Sequence, residues 1–189
     1  MLTRLSHALQ HLSRGWVALL ALVVFVLFTV LVLPGQSASA DAASGGAGSP
    51  DTSFFYTAED LYRFAEAYGP AGRQAYIRAR YTFDVVWPLV YSFFLVTAIS
   101  WLTSRAFPIG SRWQRANLVP LLAVLFDFLE NLAASVVMQR YPDPTPALAG
   151  LAPGMTVLKW VFVGASFALL VVAALVGLWR ARTGTRPAA

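Results

Sequence analysis

The chain contains no cysteine and only two histidines among its 189 residues. The absence of cysteine excludes disulfides, thiolate catalysis and sulfur-rich metal sites. His7 and His11 are four residues apart, a spacing that occurs in pairs of metal ligands, but no other ligand type lies nearby. An amphipathic amino-terminal arm is therefore the favoured interpretation. Glycine-rich phosphate-binding motifs are also absent. We expect no metal site and no bound cofactor.

Charged residues are scarce as well, at 12% of the chain, whereas hydrophobic residues make up 58%. Such a chain is too apolar for a soluble domain. Four stretches reach the length of about 20 residues that a helix needs to cross the hydrocarbon core; they are 16–33, 82–104, 118–138 and 155–179. We predict an all-α fold: an integral membrane four-helix bundle, with an outer amphipathic helix between the first two spans.

The net charge of +5 does not indicate nucleic acid as a partner, because the arginines form no dense basic stripe. They cluster instead near the ends of the spans. The segments 1–15, 105–117 and 180–189 lie on one side if there are four spans, and the arginines of these short segments are Arg4, Arg14, Arg105, Arg112, Arg115, Arg180, Arg182 and Arg186. The positive-inside rule then predicts a multi-pass protein of the cell membrane with both termini in the cytoplasm.

An alternative concerns the first span. A basic arm, an apolar run and then Ala38-Ser39-Ala40 form a small-x-small cleavage pattern. Cleavage there would remove residues 1–40 as a signal peptide. Three spans with the same orientation would remain.

The segment between the first two spans has two parts. Residues 34–53 are rich in Gly, Ser and Ala, which predicts a flexible outer linker in which nothing binds. Residues 54–69 form the predicted outer helix, with Thr57 and Asp60 as a capping box and Tyr56 packed on Leu61 as a hydrophobic staple. Its aromatic side chains fit two functions equally: a lid on the bundle or an anchor at the membrane surface.

Beyond it, residues 71–104 are predicted to be one extended helix that contains the second span. Residues 139–154 are predicted to be an outer loop.

Ionisable residues lie inside the apolar spans, where each costs about 2.5–3.5 kcal/mol. They are Asp84, Asp127, Glu130 and Lys159. With cytoplasmic termini and a rise of about 1.5 Å per residue, all four fall in the outer half of the bilayer. Such residues require a partner or a wet cavity. We therefore predict an outward-facing acidic pocket that binds a lipid or an amphipathic small molecule such as an amine, lined by Asp84, Asp127, Glu130, Asn131, Lys159, Tyr81 and Tyr91.

Two other classes of function remain open. In a structural or accessory subunit without a ligand, Arg80 would pair with Asp84 and Lys159 with Glu130, clamping helices together. These two pairs use both cations and provide none for Asp127. One carboxylate is therefore expected to be protonated or to bind a cation. In an enzyme acting on a lipid, one carboxylate would serve as a general acid and another as a base. No intramembrane histidine is present to activate a nucleophile.

The chain also resembles a known pattern. The block YTAEDLYRFAEAYGPAGRQAYIRARYTFDVVWPLVYSFFL, followed by VPLLAVLFDFLENL and TVLKW, is similar to one carried by small bacterial four-span membrane proteins of unassigned activity. It covers roughly residues 55–162 and implies the bacterial inner membrane but no chemistry. In span count and inward acids only, the chain also resembles the four-helix sterol isomerase and sigma-2 receptor superfamily, whose members bind hydrophobic amines or sterols. The missing intramembrane histidine argues against the isomerase reaction.

Overall fold

The computed structural model describes residues 1–184. Within this range the structure is helical, with no β-strand, which confirms the predicted all-α class. We number its α-helices in chain order: α1 (Leu2–Leu12), α2 (Gly15–Leu31), α3 (Leu33–Ser44), α4 (Ala58–Ala67), α5 (Gly69–Tyr81), α6 (Phe83–Ala106), α7 (Val119–Arg140) and α8 (Pro146–Thr183). Two 3₁₀ helices, Pro50–Thr52 and Arg112–Leu118, complete the described structure. Of the predicted carboxy-terminal tail, residues 185–189 with Arg186 lie outside the described residues.

Four helical stretches are long and apolar enough to cross a membrane. They are Gly15–Ser44, Gly69–Ala106, Arg112–Arg140 and Pro146–Thr183. The shortest has 29 residues, and the 22 of them that form α7 span about 33 Å at 1.5 Å per residue. The hydrocarbon core of a bilayer is only about 30 Å thick. Each stretch is thus long enough to cross the membrane.

The prediction of a flexible linker over 34–53 is wrong for its first part, because α3 continues to Ser44. Alanine is the strongest helix former, and a proline is tolerated in the first turn, where the structure has Pro34. The helix ends where Gly45 adopts the left-handed conformation, with φ of 61°, which favours glycine. Ser39 lies within this helix, so the suggested cleavage pattern is helical in the folded chain.

Two further boundaries differ from the sequence prediction. The predicted outer loop 139–154 is wrong beyond residue 145, because α8 begins at Pro146, again a proline in a first turn. Ala149 and Ala152 in this part of α8 are completely buried. The predicted extended helix 71–104 is interrupted at Thr82, whose φ of −121° and ψ of −80° separate α5 from α6.

Contacts divide the chain into two compact units. The first unit comprises Met1–Val26, Val90–Leu122 and the residues from Val161 onward, and the second comprises Leu27–Leu89 and Ala123–Trp160. In the first unit the ring of Phe25 stacks on that of Phe94, with 5.0 Å between centroids. The same unit buries Leu95 and Ile99 completely.

The core of the second unit lies under α4. Both partners of the predicted capping box are present: the Asp60 amide donates to Thr57 Oγ1 and the Thr57 amide donates to Asp60 Oδ2. Leu61 and Ala65 of α4 are completely buried. They join an apolar cluster with residues of α5, α7 and α8, among them Tyr76, Ala134, Val137, Met138 and Ala149. The helix thus packs as a lid through one face, as the first of the two interpretations requires, while Phe54 and Phe55 before it are exposed.

Candidate functional site

Five charged side chains are buried among the residues whose burial the structure describes, and all belong to the second unit. They are Arg80, Asp84, Asp127, Glu130 and Lys159. Three carboxylates therefore face two cations, which leaves one excess negative charge when all five are ionised. Removing a charge from water is costly unless it is paired. An excess carboxylate in this setting requires a proton or a cationic partner.

Lys159 lies at the centre of this group. It is the single lysine of the chain, and α8 brings its Nζ to 2.6 Å from Glu130 Oε2 and 3.2 Å from Asp127 Oδ1. Asp127 and Glu130 share one face of α7 because they are three residues apart. The expected pairing of Lys159 with Glu130 is present. The expectation that this pairing provides no cation for Asp127 is wrong, because the Lys159 ammonium contacts both carboxylates.

Tyr56 adds a donor that the sequence interpretation missed. Its hydroxyl donates to Glu130 Oε1 at 3.4 Å and also bonds with the completely buried Thr156. Burial, and secondly the negative charge of Glu130, raise the pKa of Tyr56 well above its ordinary value. The phenol therefore remains a neutral donor. Its staple position before α4 was the available signal, since a staple residue faces the core.

Two buried polar atoms on α7 have no hydrogen-bond partner in the described part of the chain: Asn131 Oδ1 and Ser135 Oγ. Asn131 Nδ2 donates to Asp127 Oδ2 at 3.5 Å. Asp127, Asn131 and Ser135 follow one another at four-residue steps, so their side chains share one helix face. A buried polar group without a partner costs roughly 1–3 kcal/mol. This face therefore presents acceptors suited to a ligand that donates hydrogen bonds.

Asp84 lies in a separate closed pair. Its Oδ2 is 2.7 Å from Arg80 Nη1, and the Arg80 guanidinium also lies over the Tyr76 ring at 4.3 Å from the centroid. The expected Arg80–Asp84 pair is thus present, and it bridges the helix break at Thr82.

The two predicted tyrosines behave differently. Tyr81 is 56% exposed, whereas Tyr91 is buried but belongs to the first unit. Of the seven predicted site residues, Asp127, Glu130, Asn131 and Lys159 are brought together.

Trp160, next to Lys159, ties α8 to the segment before α4. Its Nε1 donates to the Ser53 carbonyl at 3.2 Å, and its ring lies 5.0 Å from that of Phe54. The Lys159 ammonium is 5.4 Å from the centre of the same indole. The indole therefore borders the charged group.

Across residues 1–184, no group of three or more His, Asp or Glu side chains is arranged to hold a metal ion. Comparisons of the chain with models of protein families, with curated proteins and with solved structures find no match. Function must therefore be argued from the geometry of the second unit.

Proposed function

We propose that this protein binds a lipid or another amphipathic molecule with a cationic amine head group at the acidic face of α7. The site faces the outside of the cell membrane, and both chain termini are cytoplasmic. The observation that carries the proposal is the excess negative charge among the buried groups, three carboxylates against two cations.

The charge balance favours a cationic ligand. Asp127 and Glu130 share one ammonium, at 3.2 and 2.6 Å. A bound amine would neutralise the remaining charge.

Hydrogen bonding supports an amine in particular. An ammonium group offers up to three donors and no acceptor. Asn131 Oδ1 and Ser135 Oγ are buried acceptors that no group in the described residues satisfies. A metal ion is a weaker fit, because no cluster of three potential ligands is arranged for it within residues 1–184.

The alternative with direct support is an accessory membrane subunit without a ligand. Its support is the closed geometry of Lys159, which contacts both carboxylates and leaves each paired. In that case Asp127 is a structural element that joins α7 to α8. The two functions predict different effects of removing the charge of Asp127.

Thermal unfolding of the purified protein in a neutral detergent separates them, with dodecylamine as the probe and dodecanol as its uncharged counterpart. We expect dodecylamine to raise the unfolding midpoint of the wild type while dodecanol does not. Asp127→Asn should remove this shift without lowering the midpoint of the free protein, because a buried carboxylate kept for function opposes stability.

The matched control is Asp143→Asn, the same change at an exposed carboxylate of the second unit, which should keep the full shift. No shift of the wild type with dodecylamine, or an equal shift in Asp127→Asn, would contradict the proposal. A large fall in the midpoint of ligand-free Asp127→Asn would favour the accessory subunit.

A further inference from the structure

A second polar site lies between α3 and α5, within the second unit. The two helices enclose a cavity of about 220 Å³. Its polar lining includes Gln36, Ser39, Ser44, Arg78, Arg80 and Thr82. No carboxylate is among the residues that line it. The lining thus contains two arginines and no carboxylate, whereas the α7 face is acidic.

The buried arginine is held in position by its neighbours. Arg80 is only 6% exposed, and its guanidinium is oriented by Asp84 at 2.7 Å and by the Tyr76 ring at 4.3 Å. Arg78, two residues away, is exposed and adds a charge at the cavity wall. With Asp84 counted, this region retains one positive charge. Arginine presents a planar fork of donors that matches the oxygens of a phosphate.

The hydroxyl groups of the lining indicate what else the ligand carries. Ser39, Ser44 and Thr82 donate to the carbonyls of Gly35, Asp41 and Arg78, at 2.8, 3.0 and 2.8 Å. Their protons are engaged, so toward the cavity their oxygens can only accept. A ligand that complements them donates hydrogen bonds from its own hydroxyl groups. A phosphate ester of a polyol, such as phosphoglycerol, has both features.

The depth of the cavity along the first membrane-spanning stretch suits a lipid head group. The stretch Gly15–Ser44 has 30 residues, which is about 45 Å of helix. When Gly15 lies at the cytoplasmic edge of a hydrocarbon core of about 30 Å, roughly the last ten residues lie outside that core. These include Ser39 and Ser44, which line the cavity. Lipid phosphates occupy this level.

One glycine sets how closely the two helices approach. A Cβ added at Gly72 of α5 would lie 2.5 Å from the Ala43 carbonyl oxygen of α3. No side chain fits at that distance without moving the backbone of α3. Gly72 therefore holds the cavity walls at their present separation.

We propose that the α3–α5 cavity binds a phosphoglycerol group, either as the head group of an anionic lipid or as a free phosphate ester. The guanidinium groups of Arg78 and Arg80 hold the phosphate, and the serine and threonine oxygens accept from the glycerol hydroxyls. The site does not depend on the amine site at α7, since it uses different residues and the opposite charge.

Binding to the purified full-length protein in neutral detergent tests this, with dioctanoyl phosphatidylglycerol, dioctanoyl phosphatidylcholine and glycerol phosphate as probes. We expect saturable binding of phosphatidylglycerol, weakened about tenfold in Arg78→Gln, equivalent to about 1.4 kcal/mol. Arg78 is exposed, so this variant should fold normally. Arg140→Gln is the matched control, because Arg140 is an exposed cation of the same unit outside the lining, and it should bind like the wild type.

Two variants probe the shape of the cavity without altering its charge. Ala75→Phe places a large ring at a lining position, and Gly72→Ala displaces α3; both should weaken phosphatidylglycerol binding. Glycerol phosphate that binds as tightly as the lipid would identify a soluble ligand, and binding of the lipid alone would identify a membrane ligand. Either result supports the anion site. Equal binding of phosphatidylcholine and phosphatidylglycerol, or unchanged binding in Arg78→Gln, would overturn it.

Discussion

At the scale of single residues, Lys159 is the position where we expect the loss of one charge to destabilise the protein strongly. One buried ammonium contacts two carboxylates on the neighbouring helix. A buried ion pair contributes little net stability, but removing one partner strands the other as an uncompensated charge. The ion pairs of Lys159 thus add little net stability, but the loss of Lys159 would leave two buried carboxylates without their cation.

We therefore expect Lys159→Met to lower the free energy of unfolding by about 3–5 kcal/mol, since it leaves two buried carboxylates without their cation. The triple variant Asp127→Asn, Glu130→Gln, Lys159→Met should recover most of this loss, because no charge is then stranded. Circular dichroism during titration of detergent micelles with dodecyl sulfate measures both. Arg140→Met, the same loss of charge at an exposed site, should be close to neutral. A Lys159→Met protein as stable as the wild type would contradict the inference that Lys159 compensates the charges of Asp127 and Glu130.

At the scale of elements, short segments outside the apolar runs are docked by specific hydrogen bonds. In the first unit, α1 is attached to the 3₁₀ helix Arg112–Leu118 by Ser6, whose Oγ donates to Asn117 Oδ1 at 2.9 Å. Asn117 Nδ2 in turn donates to the Ser6 carbonyl at 3.1 Å and to Ser100 Oγ at 2.9 Å. Asn117 is completely buried, and its side chain makes two of the hydrogen bonds that attach α1 to this 3₁₀ helix.

Asn117→Ala should release α1 from the first unit. It removes three hydrogen bonds of a buried amide and leaves the Ser6 carbonyl without that donor, at a cost of roughly 1–3 kcal/mol. Hydrogen exchange measured by mass spectrometry should accelerate in residues 2–12, whereas α4 in the second unit should exchange as in the wild type. Gln10→Ala is a suitable comparison, because Gln10 is only partly buried and makes one bond, to the Gln114 carbonyl. Unchanged exchange of α1 in Asn117→Ala would show that the arm is held by apolar contacts instead.

At the scale of the whole molecule, the proposed orientation in the membrane rests on the distribution of arginine over the short connecting segments. The proposed cytoplasmic segments of residues 1–184 carry Arg4, Arg14, Arg105, Arg112, Arg115, Arg180 and Arg182. The positive-inside rule counts charges in short loops near the spans. On this rule we expect the connection between α3 and α4 to lie outside and that between α6 and α7 to lie in the cytoplasm.

Cysteine labelling tests this orientation directly, because the chain has no cysteine of its own. Ala47 and Ile109 are both exposed, so substitution at either should leave the fold intact. In intact cells an impermeant maleimide should react with Ala47→Cys and not with Ile109→Cys. Permeabilised cells should label both and serve as the control for accessibility. Labelling of Ile109→Cys in intact cells would show that the orientation is the reverse of the proposed one. The amine site would then lie in the cytoplasmic half of the membrane.

The sequence alone was sufficient for properties that depend on composition and on neighbours along one helix. The apolar content predicted the four long helices, the Thr57 and Asp60 spacing predicted the start of α4, and the four-residue step predicted the Arg80–Asp84 pair. Such features are local, because residues three or four apart share a helix face whatever the helix packs against.

Only the tertiary structure decided the rest. Tyr56 reaches Glu130 across 74 residues of sequence, Lys159 contacts Asp127 as well as Glu130, and α3 extends along α5 to enclose a cavity. The linker prediction failed at α3 because its serines and glycines favour flexibility in isolation, whereas alanine propensity and packing at Gly72 favour a helix. Which faces of two helices meet depends on side-chain packing between them rather than on periodicity within either. The contacts of Tyr56 with Glu130 and of Lys159 with Asp127 therefore could not be predicted from the periodicity of one helix.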